Sequence, residues 1–201
     1  MIDDMEDGNG AVCPNAGRSG GWFVITSSTA VVTTPTAGTS FLAYSLSNDP
    51  QGASQYGMRF AGSGFSSTDP WASLGVSVGG TGAYDASGYS AIRFWAKSHG
   101  GNLSIRVNLS TTETRATTDG GTCTATKCGD SYGAFITFTN TWQQYTVYFN
   151  AINQSGWGAA AAKNLAHLWT VEFNYVQIPY GQAVTNPNSF EFLVDDVQFV
   201  N

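Results

Sequence analysis

The residues that can do chemistry in this chain of 201 residues are unevenly distributed. A glycosidase needs two carboxyl groups beside the bond it cleaves, about 5–5.5 Å apart for retention or 6.5–9.5 Å for inversion. Many of the Asp and Glu residues lie at the two ends of the chain, which leaves Glu172 and Asp130 as acids that a polar sheet face or its rim can present. The two histidines, His99 and His167, fit a turn and the start of a strand, where a solvated or capping role is expected. The side chains therefore give little support to hydrolase or lyase chemistry.

Four of the terminal acids fit a cation site. Asp4 and Glu6 close a first short strand, and Asp195 and Asp196 lie within the last one, Phe190–Phe199. A carboxylate is expensive to bury in so apolar a strand unless it is paired or bound to a cation. If the first and last strands are neighbours, these oxygens converge, as Ca²⁺ requires. The sequence predicts a structural calcium held by these residues; solvated acids at strand ends are the alternative.

The three cysteines are Cys13, Cys123 and Cys128. Four residues separate Cys123 from Cys128 and a glycine follows, so a small disulfide between them is feasible. Low charge with abundant Ser, Thr and Gly resembles secreted polysaccharide-degrading systems, which favours a bridge over three free thiols. Cys13 can still pair with either of the others, because spacing alone does not fix connectivity. The absence of a CxxC pair argues against structural zinc.

Aromatic side chains with polar neighbours suggest a surface for a sugar. Trp71 alternates with Ser and Gly along its strand, and Trp157 lies in a Gln-Ser-Gly-Trp-Gly loop. A pyranose has apolar C–H faces ringed by hydroxyls, so it packs on flat rings flanked by polar groups. Tyr132 and Tyr175 are further candidate rings. The candidate polar partners are Arg106, Asn108, Asp130, Gln154 and Glu172.

Strands must position these groups. Apolar and polar residues alternate through Leu103–Leu109, Tyr132–Thr139 and Trp142–Phe149, and no long stretch has helical spacing. With 24 glycines, 11% charged residues and nine or ten strands, the pattern predicts an all-β, antiparallel two-sheet sandwich forming one domain over residues 1–201. Trp142 heads a strand and Trp169 shares parity with apolar neighbours, so both are assigned to the core.

Charge and hydropathy exclude several partners. A net charge of −6 and a pI near 4.6 argue against nucleic acid, which requires a basic surface. No run of 18 apolar residues occurs, so no membrane span is expected. The first ten residues are acidic and lack the apolar core of a signal peptide. A native signal peptide is therefore expected to be absent from this sequence.

Several stretches resemble jelly-roll carbohydrate-binding modules: residues 3–8 their opening, residues 84–97 a central strand, and residues 141–149 and 192–197 later strands. Their order is similar to that of family 11 modules, which bind β-glucans in a concave cleft and carry structural calcium. The resemblance implies a jelly roll, and by position it places Tyr175 and Trp157 among the cleft aromatics. Residues 128–133 and 154–158 look like a bacterial branch of such domains attached to secreted proteins.

The first interpretation is a non-catalytic module that holds a β-glucan-like polysaccharide in a concave cleft. Its expected location is secreted or cell-surface, as a monomer or as part of a larger secreted enzyme. A glycoside hydrolase or polysaccharide lyase on the same jelly roll is the second interpretation. A surface adhesion domain with a protein partner is the third.

Overall fold

The computed structural model describes residues 1–27, 31–35, 41–65, 71–181 and 185–201. Two antiparallel sheets face each other, which confirms the predicted β-sandwich. One sheet has five strands, in the spatial order β1 (Trp22–Thr26), β5 (Trp71–Ser77), β10 (Leu168–Val176), β7 (Leu103–Thr111) and β8 (Tyr132–Phe138). The second has the order β2 (Val31–Thr34), β4 (Tyr56–Ser63), β11 (Ser189–Val200), β6 (Ala91–Ser98) and β9 (Gln143–Tyr148), with the short β3 (Tyr44–Ser45) paired to β4.

The remaining regular structure is short. Two 3₁₀ turns span Thr117–Asp119 and Leu165–His167. No helix in the described part of the chain is long and apolar enough to cross a bilayer. The connections between strands are therefore loops, and these loops supply the rims of the sandwich.

The core lies between the sheets and uses the inward positions of each alternating strand. In β7, Leu103, Ile105, Val107 and Leu109 are all buried, as their spacing predicts. Aromatic rings join the two sheets: Phe94 of β6 meets Phe173 of β10 edge-on, with ring centroids 4.9 Å apart, and Phe138 of β8 meets Phe192 of β11 at 5.5 Å. Each fully buried ring of this kind contributes about 1.5–3 kcal/mol. The core thus fixes which side chains of the five-stranded sheet face outward.

Trp169 lies outside this core, contrary to the prediction. The pairing of β10 with β7 shifts register between Leu168 and Thr170, so Leu168 takes the buried position. The half-buried Trp169 ring instead packs under the guanidinium of Arg115, 4.6 Å from its centroid. Its Nε1 donates a hydrogen bond to Thr112 Oγ1 at 2.9 Å.

Trp142 also lies outside the core, contrary to the prediction. It precedes β9 and is half-buried at the edge of the six-stranded sheet. Its Nε1 donates to the Asp49 carbonyl oxygen at 3.2 Å. The ring therefore anchors a loop to the sheet edge.

Candidate functional site

A groove of about 610 Å³ crosses the outer face of the five-stranded sheet. Its floor consists of residues on the face opposite the core: Ser73 of β5, Asn174 and Glu172 of β10, and Arg106 and Asn108 of β7. In the register of the sheet, Asn174 lies between Ser73 and Arg106, while Glu172 lies beside Asn108. The floor is therefore a continuous polar surface across three adjacent strands.

The row through Asn174 ends in apolar side chains on both sides. Ser73 pairs with Ile25 of β1, and Arg106 pairs with Phe135 of β8, so the row spans all five strands. Five strands spaced by about 4.8 Å make this row about 19 Å long. Ile25 and Phe135 both line the groove. The row is thus long enough for an extended oligosaccharide and is polar only in its middle.

Aromatic rings stand around this floor. Trp71 begins β5, Trp157 is 44% exposed in the loop after β9, and Tyr180 is 62% exposed in the segment after β10. Tyr180 is not among the residues predicted from the sequence. The other lining residues that were not predicted as ligand contacts are Ile25, Ser73, Ser110, Arg115, Ala116, Asp119, Cys128, Gly129, Ser131, Phe135, Ser155, Asn174, Val176 and Ile178.

Arg106 is a cation held rigidly in the floor. Its Nη1 donates to Asn108 Oδ1 at 2.7 Å and to the Ser131 carbonyl at 3.1 Å, and its Nη2 donates to the Asn153 carbonyl at 2.6 Å. Burial lowers the pKa of the guanidinium below its ordinary value, although the negative charge of Asp130 opposes this shift. These bonds fix the orientation of the guanidinium before any ligand arrives.

Gly133 of β8 leaves room for this arrangement. A Cβ atom at position 133 would lie 2.3 Å from Asn108 Oδ1 and 3.1 Å from Arg106 Cζ. Any larger residue there would push the Arg106–Asn108 pair out of place. The glycine therefore serves the groove floor and not a turn.

Glu172 is the carboxyl group at the centre of the floor. Its Oε1 accepts a hydrogen bond from Thr170 Oγ1 at 2.7 Å. Burial raises the pKa of Glu172 above its ordinary value, although the charge of Arg115 opposes the shift. Glu172 therefore resists ionisation more than an exposed glutamate does. Together with Trp71, Trp157, Arg106 and Asn108, it lies in the groove where the sequence placed it.

Tyr175 and Tyr132 do not line the groove, and their assignment as ligand-facing rings is wrong. Both occupy inward positions of their strands. Tyr175 is fully buried, stacks on Phe190 at 4.3 Å between centroids and donates its hydroxyl to the Pro187 carbonyl. Tyr132 is 7% exposed and donates its hydroxyl to the Ala161 carbonyl. Each ring is therefore part of the packing beneath the sheet.

Asp130 does not line the groove either, although the sequence predicts that it contacts the ligand. It lies behind the loop that carries Ser155 and Trp157, which forms one wall of the groove. Only 1% of Asp130 is exposed. Its Oδ1 accepts a hydrogen bond from the Ser155 amide at 2.9 Å, and its Oδ2 accepts from the amides of Gly156 at 2.7 Å and Gly158 at 3.3 Å. One buried carboxylate thus holds the loop that carries Trp157.

Gln154 braces the same loop from its other end and likewise does not line the groove. Its Nε2 donates to the carbonyls of Asp130 at 2.8 Å and Ala159 at 2.9 Å, and its Oε1 accepts from the Ala161 amide at 2.9 Å. These three bonds close residues 154–161 into a fixed turn. Gln154 therefore shapes the wall and does not form its surface.

The disulfide lies directly under this wall. Cys123 and Cys128 are bonded to each other, as predicted, and Cys13 is free. Cys128 lines the groove, and the neighbouring Lys127 carbonyl accepts a hydrogen bond from the Ala159 amide at 2.8 Å. The segment between the disulfide and Asp130 is therefore the base on which the Trp157 loop rests.

The acidic residues at the two ends of the chain come together on the other side of the molecule. The predicted first strand is reduced to one bridge between Asp3 and Val197 of β11. Asp195 is fully buried; its Oδ1 accepts from the Asp196 amide at 2.8 Å, and its Oδ2 has no hydrogen-bond partner in the described part of the chain. Burial raises the pKa of Asp195 to about 7.

The predicted calcium ligands approach one another without forming a tight set. Burial, followed by the charges of Asp4 and Glu6, raises the pKa of Asp196. Glu6 Oε1 accepts hydrogen bonds from Ser54 Oγ at 2.8 Å and from the amides of residues 55 and 56. Among the described residues, the ligand atoms that lie within 4.8 Å of one another belong to Asp3, Asp4 and Cys13.

An antiparallel jelly roll with a ring-flanked polar groove across one sheet defines a carbohydrate-binding module, a class of non-catalytic proteins. The chain belongs to the family described as carbohydrate binding domain 30, whose model matches residues 17–201. No curated protein matches the chain. The family and fold leave the hydrolase and lyase interpretation without support.

Solved structures share this fold. A family 11 carbohydrate-binding module from Clostridium thermocellum, in complex with a β-1,3-1,4-mixed-linked tetrasaccharide, is 15% identical with a TM-score of 0.62, covering 96% of this chain and 95% of that one. The family 11 module of the cellulosomal cellulase Lic26A-Cel5E of Clostridium thermocellum is 15% identical with a TM-score of 0.56, covering 89% and 86%. An exo-β-agarase is 13% identical with a TM-score of 0.52, covering all of this chain and 25% of that one. The resemblance to family 11 is confirmed for the fold, while the family is 30.

Proposed function

We propose that the groove binds a β-glucan-like polysaccharide and holds it without cleaving it. The observation that carries this proposal is that two tryptophan rings and a polar floor line the same groove. The rings belong to Trp71 and Trp157, and the floor residues are Arg106, Asn108 and Glu172. A β-linked glucan presents apolar C–H faces to rings and hydroxyls to such a floor. The shared fold of the family 11 module bound to a mixed-linked tetrasaccharide supports the choice of glycan.

The rings are expected to supply much of the affinity. Burying roughly 80 Å² of apolar surface against one ring contributes about 2 kcal/mol at 25 cal/mol per Å². Loss of one ring should then weaken binding about thirtyfold, because 1.4 kcal/mol is a factor of ten.

The test is calorimetric titration of the mixed-linked tetrasaccharide into the protein and into Trp157→Ala and Trp71→Ala variants. Tyr148→Ala is the matched control, because Tyr148 is a 56% exposed ring on β9 of the opposite sheet. The groove variants should lose affinity while the control binds like the parent. Equal binding by all four folded proteins would place the site elsewhere.

Calcium is proposed as a structural ion held by Glu6 and Asp195, with Asp4 or Asp196 as a further ligand. The unpartnered, buried Oδ2 of Asp195 fits this role, since an isolated carboxylate is costly to bury without a cation. Carboxylate oxygens are preferred ligands of Ca²⁺, whereas the thiol of Cys13 is not. The ion would neutralise repulsion among these acids.

Removal of the ion should destabilise the fold. A ligand that binds only the folded state adds about 2.7 kcal/mol at a hundred times its dissociation constant. EDTA is therefore expected to lower the melting temperature of calcium-loaded protein, and added Ca²⁺ should restore it. An Asp195→Asn variant should respond less to both. Indifference of the loaded parent to EDTA would contradict the proposal.

We further propose that the protein acts outside the cell, as part of a larger secreted enzyme. Carbohydrate-binding domains are typically extracellular, and a disulfide persists in oxidising compartments. The similarity to one quarter of an exo-β-agarase chain is consistent with a module attached to an enzyme. Detection of the protein in the culture medium, but not in the cell lysate, tests the location.

A further inference from the structure

We propose that Ser73 and Asn174 form a subsite at the centre of the groove floor that reads the primary hydroxyl of a hexose. The inference rests on the proposed function, because it names what one part of that groove recognises. It makes the module selective for chains built from hexopyranoses with a free hydroxymethyl group over chains of pentoses.

The two residues are direct cross-strand neighbours on β5 and β10, and both line the groove. Ser73 Oγ and Asn174 Oδ1 are buried and have no hydrogen-bond partner in the described part of the chain. Ser73 is 1% exposed as a whole residue. Buried polar atoms without a partner are rare in native proteins. Two of them side by side at the middle of a binding groove point to a ligand that completes them.

The other three side chains of the floor already make hydrogen bonds within the protein. Arg106 donates three hydrogen bonds, Asn108 Oδ1 accepts one of them, and Glu172 Oε1 accepts from Thr170. Among the described residues of this floor, the buried side-chain atoms without a partner belong to Ser73 and Asn174, between the apolar Ile25 and the fixed guanidinium. A ligand gains most from placing a polar group there.

A hydroxyl group matches this pair whichever way the amide is turned. Rotation of the Asn174 amide exchanges Oδ1 and Nδ2 without changing its shape. A hydroxyl donates one hydrogen bond and accepts others, and the Ser73 hydroxyl does the same. The pair can therefore satisfy a hydroxyl, and be satisfied by it, in either arrangement.

The depth of the two atoms selects a primary hydroxyl. Both are shielded from bulk solvent by their neighbours. A ligand group must therefore reach between those neighbours, and a hydroxyl attached directly to a sugar ring has the shorter reach. The exocyclic CH₂OH of a hexopyranose carries its oxygen one carbon beyond the ring and rotates freely. A β-1,4-linked xylose chain has no such group, and its binding leaves both protein atoms unpaired.

The test combines two variants with two probes. Ser73→Ala and Asn174→Ala are titrated with the β-1,3-1,4-mixed-linked glucose tetrasaccharide and with xylotetraose. Each variant should weaken glucan binding about three- to tenfold, the usual value of one hydrogen bond. Xylotetraose should bind the parent less tightly and should be unaffected by either substitution. The difference between probes isolates the hydroxyl contact, as in a double-mutant cycle.

Thermal unfolding supplies a second readout. Ser73→Ala removes a buried hydroxyl that has no partner in the free protein, so its melting temperature should stay the same or rise while glucan affinity falls. Ser77→Ala is the matched control: it lies on the same strand and face, but its hydroxyl donates to the Gly80 carbonyl at 3.2 Å and is outside the groove. That control should bind both probes like the parent.

The outcomes are distinguishable. If Trp157→Ala loses glucan binding and neither floor variant does, the groove stands and the subsite is refuted. Equal weakening of both probes would assign the two residues to the general shape of the floor and also refute it. If the parent binds neither probe, the proposed function fails, and the subsite fails with it.

Discussion

Replacing Asp130 by Asn should weaken glycan binding although Asp130 does not line the groove. Its carboxylate accepts the amide hydrogens of Ser155, Gly156 and Gly158 around the Trp157 ring. An asparagine keeps one accepting oxygen and turns an NH₂ group towards the remaining donors. At least one charge-assisted hydrogen bond is lost, and the loop is released from its anchor.

The magnitude follows from the length of the loop. Ordering four backbone residues costs about 4–8 kcal/mol at 1–2 kcal/mol each, whereas the ring supplies about 2 kcal/mol on stacking. The ligand cannot reorder a released loop at that cost, so the contribution of the ring disappears. Affinity should fall towards thirtyfold and no further. Loss of one bond to a charged group, about 1.5–3 kcal/mol, should also lower the melting temperature by roughly 3–12 °C.

The assay is calorimetry on Asp130→Asn, Trp157→Ala and the double variant. The two substitutions act on the same ring, so the double variant should bind no more weakly than Trp157→Ala alone. Asp85→Asn is the control, because Asp85 accepts two bonds from Ser87 in an exposed turn away from the groove. Additive losses, or parental affinity in folded Asp130→Asn, would refute the anchoring role.

Three other substitutions give measurable outcomes. Because the pKa of Glu172 is raised in the folded state, the folded protein retains a proton that the unfolded chain loses above pH 4.5, so the stability of the parent falls as pH rises. The Glu172→Gln variant should therefore have the same free energy of unfolding in urea as the parent at pH 4 and a higher one at pH 8. A difference that does not change with pH would contradict this. Tyr175→Ala should cost about 3–5 kcal/mol of unfolding free energy because it empties a core site, and parental stability in denaturant would contradict its burial. Breaking the Cys123–Cys128 bond by Ser substitution should cost about 2 kcal/mol and weaken glucan binding, and calorimetry showing full affinity would contradict its support of the groove wall.

Alternation along the strands predicted much of the floor. Arg106 and Asn108 alternate with the buried aliphatic residues of β7, and Glu172 alternates with the buried residues of β10. Successive side chains of a strand point to opposite faces, so the outward direction of these three residues is predictable from the sequence. The same rule places Tyr175 and Tyr132 inward, with the core residues of their strands. The Tyr175 prediction is wrong because it follows the position of a cleft ring in a related family and not the parity of its own strand. The Tyr132 prediction is wrong because it follows the polar neighbours of the ring and not its parity.

Other features depend on contacts that the sequence does not display. The burial of Asp130 is decided by three amides about 25 residues further on. The pairing of Ser73 with Asn174 depends on the register of strands 100 residues apart. A single-residue register shift reversed the direction of Trp169. Local patterns carry no information on any of these.

The position of β11 in the six-stranded sheet has a consequence for the order of folding. This strand of 12 residues is the last in the chain, and it is hydrogen-bonded between β4 and β6. Until it is synthesised, the six-stranded sheet exists only as separate strand pairs, and the aromatic residues of β11 are missing from the core. Pairing across more than 120 residues is also slow to form. The six-stranded sheet therefore closes only when β11 has paired with both neighbours, and this pairing step should limit the rate of folding.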